Sequence, residues 1–338
     1  MSLPAGHKQL AVVGAGSWGT ALALEFSRQG YQVGLWVYER DLGARIAAER
    51  ENNVFLRGFA LPENIVPTPD LGAVAGAPLL VIAVPSHALR RVLTDLCPQL
   101  PPASEMVLAT KGLEEHTSLR VTEVTLEVLG QDWSSRLATL TGPTFAREVA
   151  AGDPTAVVVA AQSPALAVSL QQRLSSPTLR LYTSNDVVGA ELAASLKNVI
   201  AIAAGICQGL GMGSNTRAAL IARGLAEMSR LAIAMGGAAE TLAGLAGLGD
   251  LVLTCTGELS RNRALGIALG SGQTLAQAQA STPMVAEGVR TAAAAVQLAA
   301  RWGVEMPILR QMHRVLFEHL APRQAVAELM GRALRPER

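Results

Sequence analysis

Charged side chains are scarce in this chain. Only 16% of its 338 residues are charged, and 28 Lys and Arg nearly balance 27 Asp and Glu. The basic residues are scattered, so nothing in the sequence favours a nucleic acid or an acidic membrane as a partner. Half of the residues are hydrophobic. This composition predicts a large core, with either a weakly charged surface or one partly buried in a subunit interface.

Cysteine is also scarce. Cys97, Cys207 and Cys255 fit no metal-binding pattern, and we interpret them as small buried side chains in a reducing compartment. No signal peptide is expected, because the apolar run after Lys8 is short and ends in glycine. The uncharged stretch 198–216 is long enough to span a membrane, but its glycines and polar residues argue against a span. A cytoplasmic location is therefore expected.

Short apolar runs alternate with helix-prone stretches in the first half of the chain. The runs are Leu10–Val13, Gln32–Trp36, Leu79–Val84, Met106–Ala109, Leu137–Leu140 and Ala156–Ala160. Several are apolar on both faces, which indicates parallel strands covered by helices. After about Asp186, leucine, alanine and glycine recur at helical spacing. The sequence predicts an α/β fold: an N-terminal Rossmann-like doubly wound sheet over residues 1–187, then an all-α C-terminal domain over 188–338.

A glycine-rich turn is the most informative motif. Residues 14–19 read Gly-Ala-Gly-Ser-Trp-Gly, between the first apolar run and a helix-prone stretch that ends at Arg28. In this context Gly14 permits the turn, Gly16 lets backbone approach a pyrophosphate, and Gly19 lets the helix pack against the strand. The helix N-terminus then offers N–H groups to the phosphates. The motif predicts a dinucleotide, NAD or NADP, as cofactor.

The residues after the second strand leave the choice of cofactor open. An acid at this place binds the ribose hydroxyls of NAD, whereas a basic residue binds the 2′-phosphate of NADP. The chain has both, Glu39 and Arg40, directly after Tyr38. We expect Tyr38 and Arg40 to contact the cofactor. The alternative is that Glu39 and Arg40 are a solvated pair in a loop.

Two charged residues stand alone in apolar helical segments. Lys197 has Ala193, Ala194, Ile200 and Ala201 as its helical neighbours, so it has no local acidic partner. Burial disfavours the charged form of a lysine, which suits general acid–base chemistry. Asp250 is equally isolated.

We therefore predict that Lys197 and Asp250 pair with each other. The alternatives are a lysine whose ammonium reaches solvent and an aspartate that caps a helix.

A second cluster predicts a phosphate site. Ser260 is a predicted helix N-cap, and it is followed by Arg261, Asn262 and Arg263. Arginines in a first helical turn oppose the helix dipole. A phosphate ligand reverses the sign of that effect, because arginine and a helix N-terminus both bind anions.

A family resemblance rests on seven segments of the sequence. They are residues 14–22, 84–87, 109–114, 142–146, 197–201, 247–251 and 260–262. Together these segments resemble the bacterial NAD(P)-dependent glycerol-3-phosphate dehydrogenases. They occur in the expected order along nearly the whole chain, which makes the set specific although each segment alone is not.

The resemblance implies the reversible reduction of dihydroxyacetone phosphate to sn-glycerol 3-phosphate, which feeds phospholipid synthesis. It implies Lys197 as the general acid/base, assisted by Asp250 and Lys111. The implied substrate ligands are these three residues with Gly142, Thr144, Ser260, Arg261 and Asn262. The implied cofactor contacts, besides the glycine turn, are Ser17, Trp18, Lys111, Ala146, Arg261, Val285 and Glu287.

The chain departs from the family pattern in two places. After the second strand it has Val37-Tyr38, where the family often has glycine followed by histidine or arginine. Residues 285–288 follow the family segment only broadly.

Two other functions fit parts of this pattern. A β-hydroxyacid dehydrogenase also combines a sheet domain, a helical domain and an inward lysine, but its substrates carry a carboxylate in place of a phosphate. A non-catalytic NAD(P)H sensor has no need of a lysine on an apolar helix face. The alanine-rich helical half also makes a homodimer plausible.

Overall fold

The computed structural model describes residues 8–280, 287–334 and 336–337. The chain divides into two compact units. The first, which we call the sheet unit, is Met1–Lys111 with Leu119–Glu191. The second, the helical unit, is Gly112–Ser118 with Leu192–Arg338.

The sheet unit contains one eight-stranded sheet with the order β3-β2-β1-β4-β5-β6-β7-β8. Every neighbouring pair is parallel except β6 and β7. The strands are β1 (Gln9–Val13), β2 (Gln32–Trp36), β3 (Ile65–Thr68), β4 (Leu79–Ile82), β5 (Glu105–Leu108), β6 (Leu137–Thr141), β7 (Thr155–Ala161) and β8 (Leu179–Ser184).

Helices cover both faces of this sheet. Two separate apolar clusters pack against its opposite sides, since alternate residues of β1 belong to different clusters: Leu10 and Val12 to one, Ala11 and Val13 to the other. The helices are α1 (Ser17–Arg28), α2 (Arg40–Glu49), α3 (Gly72–Ala75), α4 (Ser86–Leu96), α5 (Val121–Leu129), α6 (Ala146–Ala151) and α7 (Pro164–Leu174).

All elements after β8 are helical within the described residues. They are α8 (Val187–Gly209), α9 (Ser214–Ala234), α10 (Ala239–Ala243), α11 (Asp250–Thr256), α12 (Arg261–Gly270), α13 (Leu275–Ala280), α14 (Glu287–Arg301), α15 (Pro307–Phe317) and α16 (Pro322–Met330). Helix α8 is long and apolar enough to cross a membrane, but 94% of its most apolar 18-residue stretch is buried inside the protein. A core helix of a folded protein has the same length, composition and burial.

The predicted fold class is confirmed, and the sequence analysis missed two strands. All the predicted runs form strands, and no predicted end differs from the observed one by more than two residues. The two missed strands, β3 and β8, are the two edges of the sheet. Strand β3 contains Pro67, and β8 alternates between buried and exposed residues. Edge strands lack the continuous apolar run that identifies buried parallel strands.

Helices α8 and α12 pack with their backbones in direct proximity. Gly205 and Gly209 of α8 face Gly266 and Gly270 of α12. A Cβ at any of the four would overlap a backbone carbonyl oxygen of the other helix. The spacing of four residues places each pair of glycines on one helix face, so the absence of side chains there permits the close approach.

A buried carboxylate anchors the start of α15. Glu227, on α9, is only 3% exposed and accepts hydrogen bonds from the N–H groups of Ile308 (2.8 Å) and Leu309 (3.2 Å). These N–H groups lie in the first turn of α15, where no intrahelical acceptor exists. Burial raises the pKa of Glu227 to about 7, although the two N–H bonds oppose the shift.

The glycine packing predicts that Gly266→Ala destabilises the helical unit by about 1–3 kcal/mol, because its Cβ must push α8 and α12 apart. This loss exceeds the gain that alanine normally brings to a helix interior. Gly213→Ala is the control, because no described atom lies within 4 Å of its Cβ position. Urea denaturation monitored by circular dichroism measures both. A Gly266→Ala protein as stable as the Gly213→Ala protein would contradict the packing argument.

The raised pKa of Glu227 predicts that stability falls between about pH 4.5 and pH 7. In this window the folded protein holds a proton that the unfolded chain, with its ordinary glutamate pKa, releases. The total change is on the order of 1–3 kcal/mol. Glu227→Gln removes the titration and flattens this part of the profile, whereas exposed Glu240→Gln leaves it unchanged. Urea midpoints at several pH values test the difference; equal slopes in all three proteins would refute it.

Candidate active site

The glycine turn is closely packed except at one position. Gly14 has a φ of +114°, and a Cβ there would lie 2.9 Å from the carbonyl oxygen of Ala83. A Cβ at Gly19 would overlap the carbonyl oxygen of Gly14. At Gly16 no described atom lies within 4 Å of the Cβ position. The fold therefore requires glycine at 14 and 19, whereas Gly16 leaves open space beside the N-terminus of α1.

Side chains from a following segment fix the turn. Asn52 is fully buried and its amide nitrogen donates to the carbonyl oxygen of Ala15 and to the hydroxyl of Thr20, both at 2.8 Å. Ser17 donates its hydroxyl to the carbonyl oxygen of Phe55 at 2.7 Å. The Ser17 side chain is thus used to hold the turn, and its backbone N–H remains the group suited to a phosphate. Sequence reasoning missed Asn52.

The turn fits a dinucleotide on two further observations. The N-cap of α1 is Gly16, which has no side chain to occupy the N–H groups of the first turn. The indole nitrogen of Trp18 is buried and has no hydrogen-bond partner among the described residues. Such a donor normally finds a partner when it is buried. The Gly16 N-cap leaves the N–H groups at the start of α1 available to a pyrophosphate, and the Trp18 indole is a second donor without a partner among the described residues.

The residues after β2 lie on the surface. Tyr38 is 58% exposed, and Arg40 is the exposed first residue of α2. Glu39 is the N-cap residue of that helix, but its side chain makes no capping hydrogen bond. All three side chains are therefore accessible to a ligand.

Lys111 brings together residues at the ends of β5 and β6. Its Nζ donates to the carbonyl oxygen of Gly142 (3.3 Å) and to the hydroxyl of Thr144 (3.2 Å). Gly142 has a φ of +134°, and a Cβ there would lie 3.1 Å from the Cα of Val157. Packing against the neighbouring strand is therefore enough to require glycine at position 142, whether or not a ligand binds there. Ala146 begins α6 and is half-buried.

The helical unit contains the predicted pair of buried opposite charges. The ammonium of Lys197, on α8, donates to Oδ1 of Asp250 and, at 3.0 Å, to the hydroxyl of Thr254. The side chains of Lys197 and Asp250 are only 6% and 1% exposed. Asp250 begins α11 directly after a π-helical turn, Leu245–Gly249. Turns of this type are frequent at functional sites. The pairing of Lys197 with Asp250 is confirmed.

Sequence reasoning missed the third member of this group. The Thr254 hydroxyl donates to the carbonyl oxygen of Asp250 at 2.6 Å, one helical turn earlier. Because the hydroxyl oxygen of Thr254 also accepts from Lys197, Thr254 fixes the ammonium from a second side. The four-residue spacing between Asp250 and Thr254 was the available signal, because it places both on one face of a helix.

The first turn of α12 separates its two arginines. Ser260 is the N-cap, as predicted, and accepts from the N–H of Arg263 at 3.2 Å. The guanidinium of Arg263 is used internally, since it donates to Gly257 (3.3 Å) and Gln208 (2.7 Å). Arg261 is exposed, and none of the described residues accepts a hydrogen bond from it.

Arg261 nevertheless has a charged neighbour. Surrounding protein atoms remove enough water to lower the pKa of its guanidinium, and the carboxylate of Glu287 opposes this shift. Arg261 and Glu287, both predicted to contact the cofactor, thus interact with each other at the starts of α12 and α14. The predicted contact Val285 lies outside the described residues.

Asn262 is engaged inside the helical unit. It is buried, its amide nitrogen donates to Oδ1 of Asn198, and its oxygen accepts from the N–H of Gly288, both at 3.0 Å. These bonds join α8, α12 and α14 at the residue that follows Lys197 in the chain. The geometry favours a positioning role for Asn262 over direct contact with substrate. Asn198 is a further residue that sequence reasoning left without a role.

A buried carboxylate holds the beginning of α8. Glu191 accepts from Arg120 (2.8 Å) and from the hydroxyl (2.7 Å) and N–H (3.0 Å) of Thr122. Burial raises the pKa of Glu191, and the charge of Arg120 opposes this. These bonds fix the early part of the helix that carries Lys197.

The buried pair predicts strong coupling between Lys197 and Asp250. Asp250→Asn removes the negative charge that faces the Lys197 ammonium, and Lys197→Met removes the positive charge that faces the Asp250 carboxylate, so each should cost about 3–5 kcal/mol of stability. The double variant contains neither charge and should cost much less than the sum. Urea denaturation of the four proteins provides the cycle. Additive losses would show that the two side chains do not interact in solution.

Comparisons with known proteins give this arrangement a family. Models of the NAD-dependent glycerol-3-phosphate dehydrogenase N-terminus and C-terminus match residues 9–167 and 186–327. The chain is 52% identical to glycerol-3-phosphate dehydrogenase (NAD(P)+) of Koribacter versatilis, over 96% of this chain and 97% of the relative. It is 50% identical to the enzyme of the same name from Geobacter sulfurreducens, over 98% and 99%.

A crystal structure agrees with this assignment. Glycerol-3-phosphate dehydrogenase from Coxiella burnetii superposes with a TM-score of 0.92 at 44% identity, covering 97% of this chain and all of that one. The buried lysine–aspartate pair and the glycine turn therefore occur in a chain that belongs to the NAD-dependent glycerol-3-phosphate dehydrogenase family.

Proposed function

We propose that this protein is an NAD(P)-dependent sn-glycerol-3-phosphate dehydrogenase that reversibly reduces dihydroxyacetone phosphate. The observation that carries the proposal is the buried Lys197, held by Asp250 and Thr254, in a chain whose other unit contains a dinucleotide turn. Family membership supports the same reaction, since the relatives named above have this activity in their names. The balanced reaction consumes one hydride and one proton per carbonyl reduced.

We assign cofactor binding to residues 1–187. The N–H groups at the start of α1 would hold the pyrophosphate in the space that Gly16 leaves open. The indole N–H of Trp18 supplies a further donor. Lys111 and Ala146 are proposed contacts at neighbouring strand ends. The reduced nicotinamide, when bound, supplies the hydride.

Residues 188–338 are proposed to form the substrate and catalytic domain, with Lys197 as the general acid. Negative charge develops on the carbonyl oxygen as its carbon is reduced. The Lys197 ammonium stabilises this charge and donates the proton, and the neutral amine takes it back in the reverse direction. General acid–base help of this kind contributes about 10²–10⁴-fold. Asp250 and Thr254 hold Nζ in one position, which keeps the proton donor oriented.

Arg261 is the proposed ligand of the substrate phosphate. Its guanidinium is exposed at the N-terminus of α12, where the helix dipole also favours an anion. Binding energy gained at this remote phosphate is used to orient the reacting carbonyl. Ser260 and Asn262 support Arg261 by fixing the helix start, and Lys111, Gly142 and Thr144 complete the proposed substrate contacts.

A phosphate ligand distinguishes this function from the hydroxyacid dehydrogenase alternative, and the buried pair argues against a sensor without catalysis.

The proposal includes a role in glycerophospholipid synthesis, a cytoplasmic location and a homodimer. The alanine-rich helical half supports the homodimer. Several large apolar side chains of the helical unit are exposed, among them Ile233, Leu259, Trp302 and Phe317.

The test is the loss of nicotinamide absorbance with dihydroxyacetone phosphate, using NADH and NADPH in parallel. The wild-type protein should turn over rapidly. Lys197→Met should lower kcat by about 10²-fold or more while nucleotide affinity, measured by calorimetry, stays unchanged. A Lys197→Met protein with a normal kcat would refute the assigned role.

The same assay tests Arg261 as the ligand of the substrate phosphate. Arg261→Ala should raise the KM for dihydroxyacetone phosphate by about tenfold or more, because a charge-assisted contact is lost. With dihydroxyacetone, which lacks the phosphate, the variant and the wild type should be alike. Losses of equal size on both substrates would place the substrate phosphate elsewhere.

A further inference from the structure

The end of β2 is the place where the choice between NAD and NADP is made in this type of sheet. The register pairs Val13 of β1 with Trp36 of β2 and with Ile82 of β4. Three segments therefore lie side by side at the carboxyl ends of β1, β2 and β4: the glycine turn, residues 37–40 and the start of α4. A dinucleotide with its pyrophosphate on the glycine turn has its adenosine beside the carboxyl end of β2.

An arginine of α4 lies beside the residues that follow β2. The guanidinium carbon of Arg91, on α4, lies 5.0 Å from the centroid of the Tyr38 ring. Tyr38 also makes an edge-to-face contact with Trp36, with ring centroids 5.9 Å apart. Trp36 is itself fixed, because its indole nitrogen donates to the carbonyl oxygen of Pro69 at 3.2 Å. A stacked guanidinium retains its in-plane N–H donors for another group.

The neighbouring arginine provides a contrast. Arg90 forms an ion pair with Glu127 at 2.7 Å. None of the described carboxylates pairs with Arg91 or with Arg40. Both are exposed. Two arginines from different elements thus remain available at the end of β2, whereas Arg90 is used within the protein.

Net charge alone does not make this place an anion site. Glu39 and Asp41 flank Arg40 in the sequence, and both are exposed. The positive and negative charges at this place therefore nearly cancel, so any preference for a phosphate depends on directed hydrogen bonds. Arg91 is suited to such bonds, because its guanidinium lies over the Tyr38 ring and its planar fork matches a phosphate that accepts two parallel N–H groups.

We propose that Arg91, stacked on Tyr38 and assisted by Arg40, binds the 2′-phosphate of NADP and is the residue by which this chain distinguishes NADPH from NADH. Glu39 then serves the ribose hydroxyls when NAD is bound, so both cofactors are accepted. The inference rests on the cofactor-binding half of the proposed function and does not depend on the identity of the substrate.

Calorimetry with two matched nucleotides tests the proposal. Adenosine 2′,5′-bisphosphate and adenosine 5′-monophosphate differ only in the 2′-phosphate. Arg91→Ala should weaken binding of the bisphosphate by about tenfold or more and change binding of the monophosphate by less than about twofold. Arg91→Lys should give an intermediate loss, because it keeps the charge but not the planar fork. Arg90→Ala, the control on the same helix, should bind both nucleotides as the wild type does.

Each other result overturns the proposal. Equal weakening of both nucleotides would mean that Arg91 contacts the adenosine or only supports Tyr38. Unchanged affinity, or an equal effect of Arg90→Ala, would remove Arg91 as the phosphate ligand. No substrate enters this experiment, so a failure here leaves turnover of dihydroxyacetone phosphate unaffected. A failure of turnover with intact nucleotide selectivity would instead count against the proposed reaction alone.

Discussion

The helical unit depends on a contact without side chains, the one between the glycines of α8 and α12. Because Gly205 and Gly266 lack Cβ atoms, two helix backbones approach to a separation that no other residue permits. The approach brings Asn198 within 3.0 Å of Asn262 and lets Asn262 reach the N–H of Gly288. The helix that carries Lys197 and the helix that begins at Arg261 are thereby fixed to each other by backbone packing and buried amides.

Rigidity of this kind makes a buried ion pair tolerable. An ammonium and a carboxylate each lose their hydration on burial, and their attraction compensates only when geometry is good and remaining hydrogen bonds are satisfied. Around Lys197 those conditions are met by Asp250 and by Thr254, whose hydroxyl also satisfies the Asp250 carbonyl. Hydrophobic side chains would fill this space at lower cost. The presence of two buried charges in place of apolar side chains therefore supports the role proposed for Lys197.

Periodicity and isolated charges are the features that could be predicted from the sequence. Buried parallel strands read as apolar runs, and Lys197 and Asp250 stood out because neither had a local partner. Edge strands and tertiary hydrogen bonds have no such signal. Asn52 lies in a polar stretch of the sequence, yet it is fully buried and donates to the glycine turn. The segment Gly112–Ser118 belongs to the helical unit because Thr117 and Ser118 bond to α14, which is far away in the chain.

The first turn of α12 combines a locally unfavourable sequence with the arginine that we propose as the ligand of the substrate phosphate. Arg261 and Arg263 both oppose the helix dipole. Arg263 donates to a carbonyl and an amide oxygen within the fold, whereas Arg261 has the carboxylate of Glu287 as a charged neighbour. Ser260 meanwhile satisfies one N–H group of the turn, and Asn262 faces inward. Arg261 has no hydrogen-bond acceptor among the described residues and lies at a helix N-terminus that favours anions, which supports its proposed role as the ligand of the substrate phosphate.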